Sequence, residues 1–92
     1  DWQSLFDFAD PGLHGVLHAC KGFGTTLPEV GFYILDSFGD LAVKIELAWP
    51  KHKFGIAISA NDIEDANNEG WHVVTANEFL ADYRSQAGNL RW

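Results

Sequence analysis

The chain has 92 residues, which suits one domain with one modest core. Hydrophobic residues make up 47% and aromatic residues 14%, so apolar material suffices for folding and aromatic packing is expected to dominate the core. Six basic against thirteen acidic residues give a net charge of −7, which disfavours non-specific nucleic-acid binding, and no window approaches the roughly 18 continuous apolar residues of a membrane span.

In chain order, Trp2, Leu5, Phe6 and Ala9 fall at helical spacing and predict a short amphipathic helix over residues 2–9. Asp10-Pro11-Gly12 interrupts it, with Asp10 placed to cap a second helix and Pro11 at its first position. Leu13, Val16, Leu17 and Cys20 form the apolar stripe of that helix, and Gly22 and Gly24 are expected to end it. Residues 25–29 read as a loop, since Pro28 favours extended backbone before it. Residues 30–35 read as a first strand, and Asp36 to Asp40 as a hairpin turn.

The run LAVKIELAWPKHKFGIAI, from Leu41 to Ile58, reads as two central strands joined by a basic turn. Alternation puts Leu41, Val43, Ile45, Leu47 and Trp49 on one face, with Ala42, Lys44, Glu46 and Ala48 on the other. Phe54 to Ile58 is the second apolar run. Asn61 is expected to open a third helix whose acids, Asp62, Glu64 and Asp65, cluster early, where the helix dipole favours them. Gly70 stops it, and Trp71 to Val74 reads as a fourth strand. Thr75 and Glu78 form a capping-box pattern ahead of a last helix carrying Phe79, Leu80 and Tyr83. Residues 85–92 are weakly patterned, with Leu90 and Trp92 as candidates to pack back.

The fold class is therefore α/β in the mixed, α+β sense. Three strands form a meander, a helix crosses over to a fourth, and helices lie on the sheet faces. The chain is read as a single domain over 1–92, with two N-terminal helices in 1–24 and a core in 30–83. It begins at Asp1 and contains no Met, which predicts a domain excised from a longer protein. Cys20 is the one cysteine, so no internal disulfide forms, and a cytoplasmic location is the default expectation.

The order of elements and two stretches resemble the PD-(D/E)xK nuclease fold, in its compact branch around the very-short-patch-repair endonucleases. The stretches are ELAWPKHKFGIAIS from Glu46 to Ser59 and GWHVV from Gly70 to Val74, the latter followed by a helix. The same phrases are similar to small C-terminal domains of bacterial helicase-like proteins. The resemblance implies a restriction-endonuclease-like core and a prokaryotic protein that handles DNA or RNA. Glu46 matches the family's first metal-binding acid. The family's second motif, an acid, one residue, then Lys, belongs on the third strand, where this chain has Ile56-Ala57-Ile58-Ser59-Ala60. Two acids hold the divalent metal in such sites. The departure implies a nuclease-like scaffold that has lost its chemistry and needs no cofactor. An active version would need Mg²⁺ or Mn²⁺, with Glu29 or Asp36 supplementing Glu46.

The candidate site residues lie on the hairpin. Glu46 is read as a metal ligand or base and Lys44 as a catalytic or phosphate-contacting group; the alternative is a pair that offset each other's charge. Lys51, His52 and Lys53 join Lys44 as candidate nucleic-acid contacts, against the reading of an ordinary solvated turn. His14 and His18, with Asp10, share a helical face at metal-compatible spacing, against a plain polar surface. His72 reads as a surface imidazole. Trp49 and Trp71 fit the core better than a base-stacking role. Three functions follow: a non-catalytic accessory domain making nucleic-acid or interdomain contacts, a metal-dependent endonuclease with a relocated site, or a protein–protein assembly module. No membrane partner is expected.

Overall fold

The computed structural model describes residues 1–83, 85 and 88–90. Among them, α1 (Trp2–Phe8) and α2 (His14–Phe23) precede β1 (Glu29–Leu35), β2 (Leu41–Trp49) and β3 (Phe54–Ile56). Then come α3 (Ala60–Asn68), β4 (His72–Val74) and α4 (Ala76–Ala81). The four strands make one mixed sheet in the order β1-β2-β3-β4. The first two pairings are antiparallel and β3–β4 is parallel, as a helix crossover through α3 requires. This is the expected mixed α+β architecture, a meander followed by a crossover.

Local chemistry sets the boundaries. The Asp1 carboxylate accepts from the Ser4 N–H at the start of α1. The Asp10 carboxylate accepts from the Gly12 N–H, and Pro11 opens a 3-10 turn that leads into α2. That helix runs through Gly22 and ends at Gly24, whose φ of 91° supplies the left-handed cap; Gly22 ends nothing. Thr75 and Glu78 form the reciprocal capping box in full, at 3.0 and 3.1 Å. In the hairpin turn, the Asp36 carboxylate accepts from the Phe38 and Asp40 N–H groups. Two expectations move by a residue or more. Ser59 precedes α3, which starts at Ala60, so only Asp62 of the three acids lies in its first turn. The third strand stops at Ile56, and Ile58 is exposed.

Two buried clusters lie on opposite faces of the sheet. The first gathers Leu13, Val16, Leu17 and Cys20 from α2 and Phe79 from α4 over Leu47, Trp49, Phe54, Ile56 and Val74, with Leu90 closing its edge. The second places Ala66 of α3 over Val43, Ile45, Ala48, Ala57 and Val73, flanked by Ile63, Phe32 and Trp71. This corrects the expectation that Leu41, Val43, Ile45, Leu47 and Trp49 share one face. Val43 and Ile45 turn towards α3, whereas Leu47 and Trp49 turn towards α1, α2 and α4. The reversal falls between Ile45 and Leu47, beside Gly31 on β1, which takes φ 68°. A glycine at positive φ inside a strand marks a local break in the pleat. The other three glycines at positive φ among the described residues end helices or turns.

Gly55 is required by the same reversal. The Ile45 side chain fills the space where a Gly55 Cβ would stand, and that Cβ would lie 2.9 Å from the Leu47 carbonyl oxygen.

Candidate functional site

The structure divides the predicted site residues into two groups. Lys44 lies mid-strand on β2, directly opposite Tyr33 of β1, and its Nζ sits 5.6 Å from the centre of the Tyr33 ring. Glu46, two residues on, accepts a 3.3 Å hydrogen bond from the Ile58 N–H, just past the end of β3. Each thus has a partner other than its neighbour, rather than the two simply offsetting each other. Glu46 ties down the backbone where the sheet gives way to α3.

Mg²⁺ favours octahedral oxygen coordination, and Glu46 brings one carboxylate. Glu29 is paired with Ala48 at the start of β1, and the Asp36 carboxylate is held by two backbone N–H groups at the hairpin turn. Along β1, Asp36 is roughly 17 Å from Gly31, the residue facing Glu46. Among the described residues, no group of three or more His, Cys, Asp or Glu side chains converges on a metal position. The donor set around Glu46 therefore does not fit a nuclease metal centre.

The basic turn is elsewhere. Pro50 to His52 form a 3-10 turn at the inner end of β2, roughly 20 Å along the strand from Lys44. Lys53 follows at φ 49°, the only non-glycine residue at positive φ among the described residues. Its carbonyl accepts from the His72 N–H at 2.8 Å, which anchors the turn to β4. The three side chains of Lys51, His52 and Lys53 are exposed. The sequence reading grouped Lys44 with them; the strand length keeps it apart.

Lys51 and His52 border a groove of about 810 Å³. Its other walls are Trp2 of α1, Thr25, Thr26 and Leu27 of the loop, Glu29 of β1, and Trp49 and Pro50 at the end of β2. Trp49 is buried, and its indole N–H donates to the Thr26 carbonyl at 2.9 Å. Thr26 in turn donates through both its N–H and its hydroxyl to the Leu90 carbonyl. The loop is thereby fixed from both sides, and the groove is preformed. Trp2 is half-buried and Leu27 half-exposed, so both offer apolar surface to an occupant. Sequence reasoning found the basic border, named Glu29 only as an acid supplementing Glu46, and missed Trp2 and Leu27. They are 20 or more residues away in the chain, and nothing local to them signals that they converge.

The remaining candidates settle into structural roles. His14 Nε2 is 2.9 Å from the Phe6 carbonyl oxygen, and the His18 ring lies 4.6 Å from the Phe6 ring centre. Of the face read as polar and outward, Asp10 and His18 are exposed, and His14 is half-buried against α1. His72 is exposed and stacks on Phe54 at 5.5 Å. Trp71 packs on Phe32 at 5.3 Å beside the second cluster. Burial pushes the Cys20 thiol up to about 12, with a Thr25 hydrogen bond acting in the opposite direction. That thiol is a core group. Trp92 lies outside the described residues. No described helix is long and apolar enough to cross a membrane.

The chain has a measurable relative. It is 28% identical over 86 residues to the Zorya protein ZorE of Escherichia coli, Crooks strain, a match covering 94% of this chain and 22% of that protein. The chain thus spans about a fifth of the length of the curated relative it matches. No family model matches the sequence, and no solved structure matches it significantly.

Proposed function

We propose that this chain is a non-catalytic binding domain of a longer protein, and that the groove beside the basic turn receives a segment of a neighbouring domain. The carrying observation is the groove itself. It is preformed by the Trp49–Thr26–Leu90 hydrogen bonds, walled by Trp2, Leu27 and Pro50, and edged by one acid, Glu29, and two bases, Lys51 and His52. Apolar walls with a few polar groups of both signs suit a peptide segment, which combines apolar side chains with backbone donors and acceptors. A match that occupies 22% of the ZorE chain supports a role within a larger polypeptide.

The meander, the crossover to a parallel strand and the acid at Glu46 support a nuclease-like scaffold. The hydrogen bond from the Ile58 N–H to Glu46 and the lack of an acid-x-Lys run on β3 support the loss of its chemistry. Such a scaffold would belong to a DNA- or RNA-processing protein. Hydrogen exchange of the 92-residue chain and of the longer protein provides the test. Residues 25–29 and 50–52 are expected to be slowed in the longer protein. Equal exchange in the two would defeat the interdomain reading.

A second reading, direct contact with nucleic acid, is favoured by one observation: Lys51, His52 and Lys53 are all exposed on one anchored turn beside Trp2. Titration with labelled single-stranded and duplex DNA at low salt tests it. Salt-sensitive binding that Lys51→Glu with Lys53→Glu abolishes would establish this reading in place of the first.

A further inference from the structure

The groove is bordered by charges of both signs that do not meet. Glu29 of β1 and Lys51 and His52 of the turn all line it, and all three are exposed. Among the described residues, none of these side chains has a hydrogen-bond or ion-pair partner. β1 pairs Glu29 with Ala48, and Lys51 follows Ala48 by three positions. Their backbones are therefore about 10 Å apart.

Backbone contacts hold both borders in place. The Lys53 N–H donates to the Pro50 carbonyl at 3.2 Å, and the Lys53 carbonyl accepts from the His72 N–H at 2.8 Å. The turn that carries Lys51 and His52 is thus tied at its end to β4. Glu29 is held by its pairing with β2. Trp2, Leu27 and Pro50 add apolar surface to the same groove, with Leu27 half-exposed. An occupant therefore meets cations, a carboxylate and apolar walls at fixed spacing.

We propose that the occupant is an extended segment of the same longer polypeptide, with an acidic and a basic residue flanking an apolar stretch. The acid pairs with Lys51 and His52, the base with Glu29, and the apolar side chains lie on Trp2, Leu27 and Pro50. The inference rests on the groove reading above and adds the chemistry of the segment. Exposed charge contacts are weak, each worth up to about a fivefold preference, so they select among segments while apolar contact supplies the binding. A weak contact suffices within one polypeptide, where the effective concentration is high. Charge complementarity also favours a peptide over a nucleic-acid strand. Phosphates that reach Lys51 also approach Glu29, on a chain of net charge −7.

Three capped synthetic peptides provide the test. All share a Leu-Ile-Leu centre, flanked by Glu and Lys, by two Glu, or by two Lys. Each is titrated into the 92-residue chain at low salt, and the amide shifts of residues 25–29 and 50–52 report binding. The mixed peptide is expected to bind about fivefold more tightly than either of the others, a preference that fades at high salt. Lys51→Glu should move the preference to the two-Lys peptide, and Glu29→Lys to the two-Glu peptide. Both positions are exposed, and circular dichroism verifies that the variants fold. Lys44→Glu changes net charge as Lys51→Glu does, but roughly 20 Å along β2, and should leave the ranking unchanged. A ranking indifferent to both groove substitutions, or moved equally by Lys44→Glu, overturns the proposal. Tighter binding of single-stranded oligo-dT than of every peptide overturns it in favour of nucleic acid. Equal or absent peptide binding, with residues 25–29 and 50–52 still slowed in the longer protein, overturns this charge assignment and leaves the groove reading standing. The same result with equal exchange overturns both.

Discussion

The two halves of β2 carry the same alternating pattern and end in opposite surroundings. At the inner end, Leu47, Ala48 and Trp49 pair with β1 or β3, or both, and are closed over by helices. At the outer end, Leu41 to Lys44 pair with β1 alone, and Leu41 is open to solvent. Alternation specifies which side chains share a face. It is silent on whether a helix reaches that face. On the face away from α3 the outer half leaves Leu41 open to solvent, although Val43 is buried beneath α3 on the other face, while the inner half builds the core and one wall of the groove.

Substitutions along this strand pair sharpen the contrast. Gly55→Ala is expected to have a large effect, a loss of about 1–3 kcal/mol, because the added carbon displaces Ile45 and presses on the Leu47 carbonyl. Urea unfolding would measure it, and a loss under 1 kcal/mol would show that the reversal between Ile45 and Leu47 is less tightly packed than described. Leu47→Ala should cost about 2–5 kcal/mol, and Leu41→Ala, the same change at the outer end, within about 0.5 kcal/mol of zero. Equal costs would dissolve the distinction between the two halves.

Cys20, packed over the inner half, gives a pH test. Its folded pKa of about 12 exceeds the ordinary value of 9.0. The folded state therefore holds its proton between those values while the unfolded state releases it. Stability from this group is complete below pH 9 and declines as pH rises towards 12, by at most about 1.4 kcal/mol per unit. Cys20→Ala should flatten the decline; an unchanged slope would assign it to other groups.

A smaller effect is expected at Glu46. Glu46→Ala removes the acceptor for the Ile58 N–H and should cost about 1 kcal/mol. Assayed with Mg²⁺ or Mn²⁺ on labelled DNA, the wild-type chain should show no cleavage that Glu46→Ala abolishes. Such cleavage would revive the relocated endonuclease site.

Much of the fold is legible in the sequence where the controlling chemistry is local. The Asp10-Pro11 entry to α2 and the Thr75–Glu78 capping box depend on residues within four positions of one another. The meander follows from alternation and the Asp36–Gly39 turn. The site is less legible. Lys51 and His52 are visible as a basic turn, but the groove they border needs Trp2 and the 25–29 loop. Treating Lys44 as part of the same patch failed because a strand spaces residues by about 3.3 Å each, and nothing folds β2 back on itself.

By itself, the sequence determined the order of helices and strands, their main caps and the residues able to form a core, since periodicity and capping act over a few positions. The tertiary structure alone decided that Gly31 reverses the facing of the hairpin and that α1, α2 and α4 stop short of Tyr33, Leu35 and Leu41. It also decided that Trp2, Leu27 and Lys51 meet around one groove. Those outcomes depend on which distant elements come together to exclude water, a property of the packed molecule that no local pattern encodes.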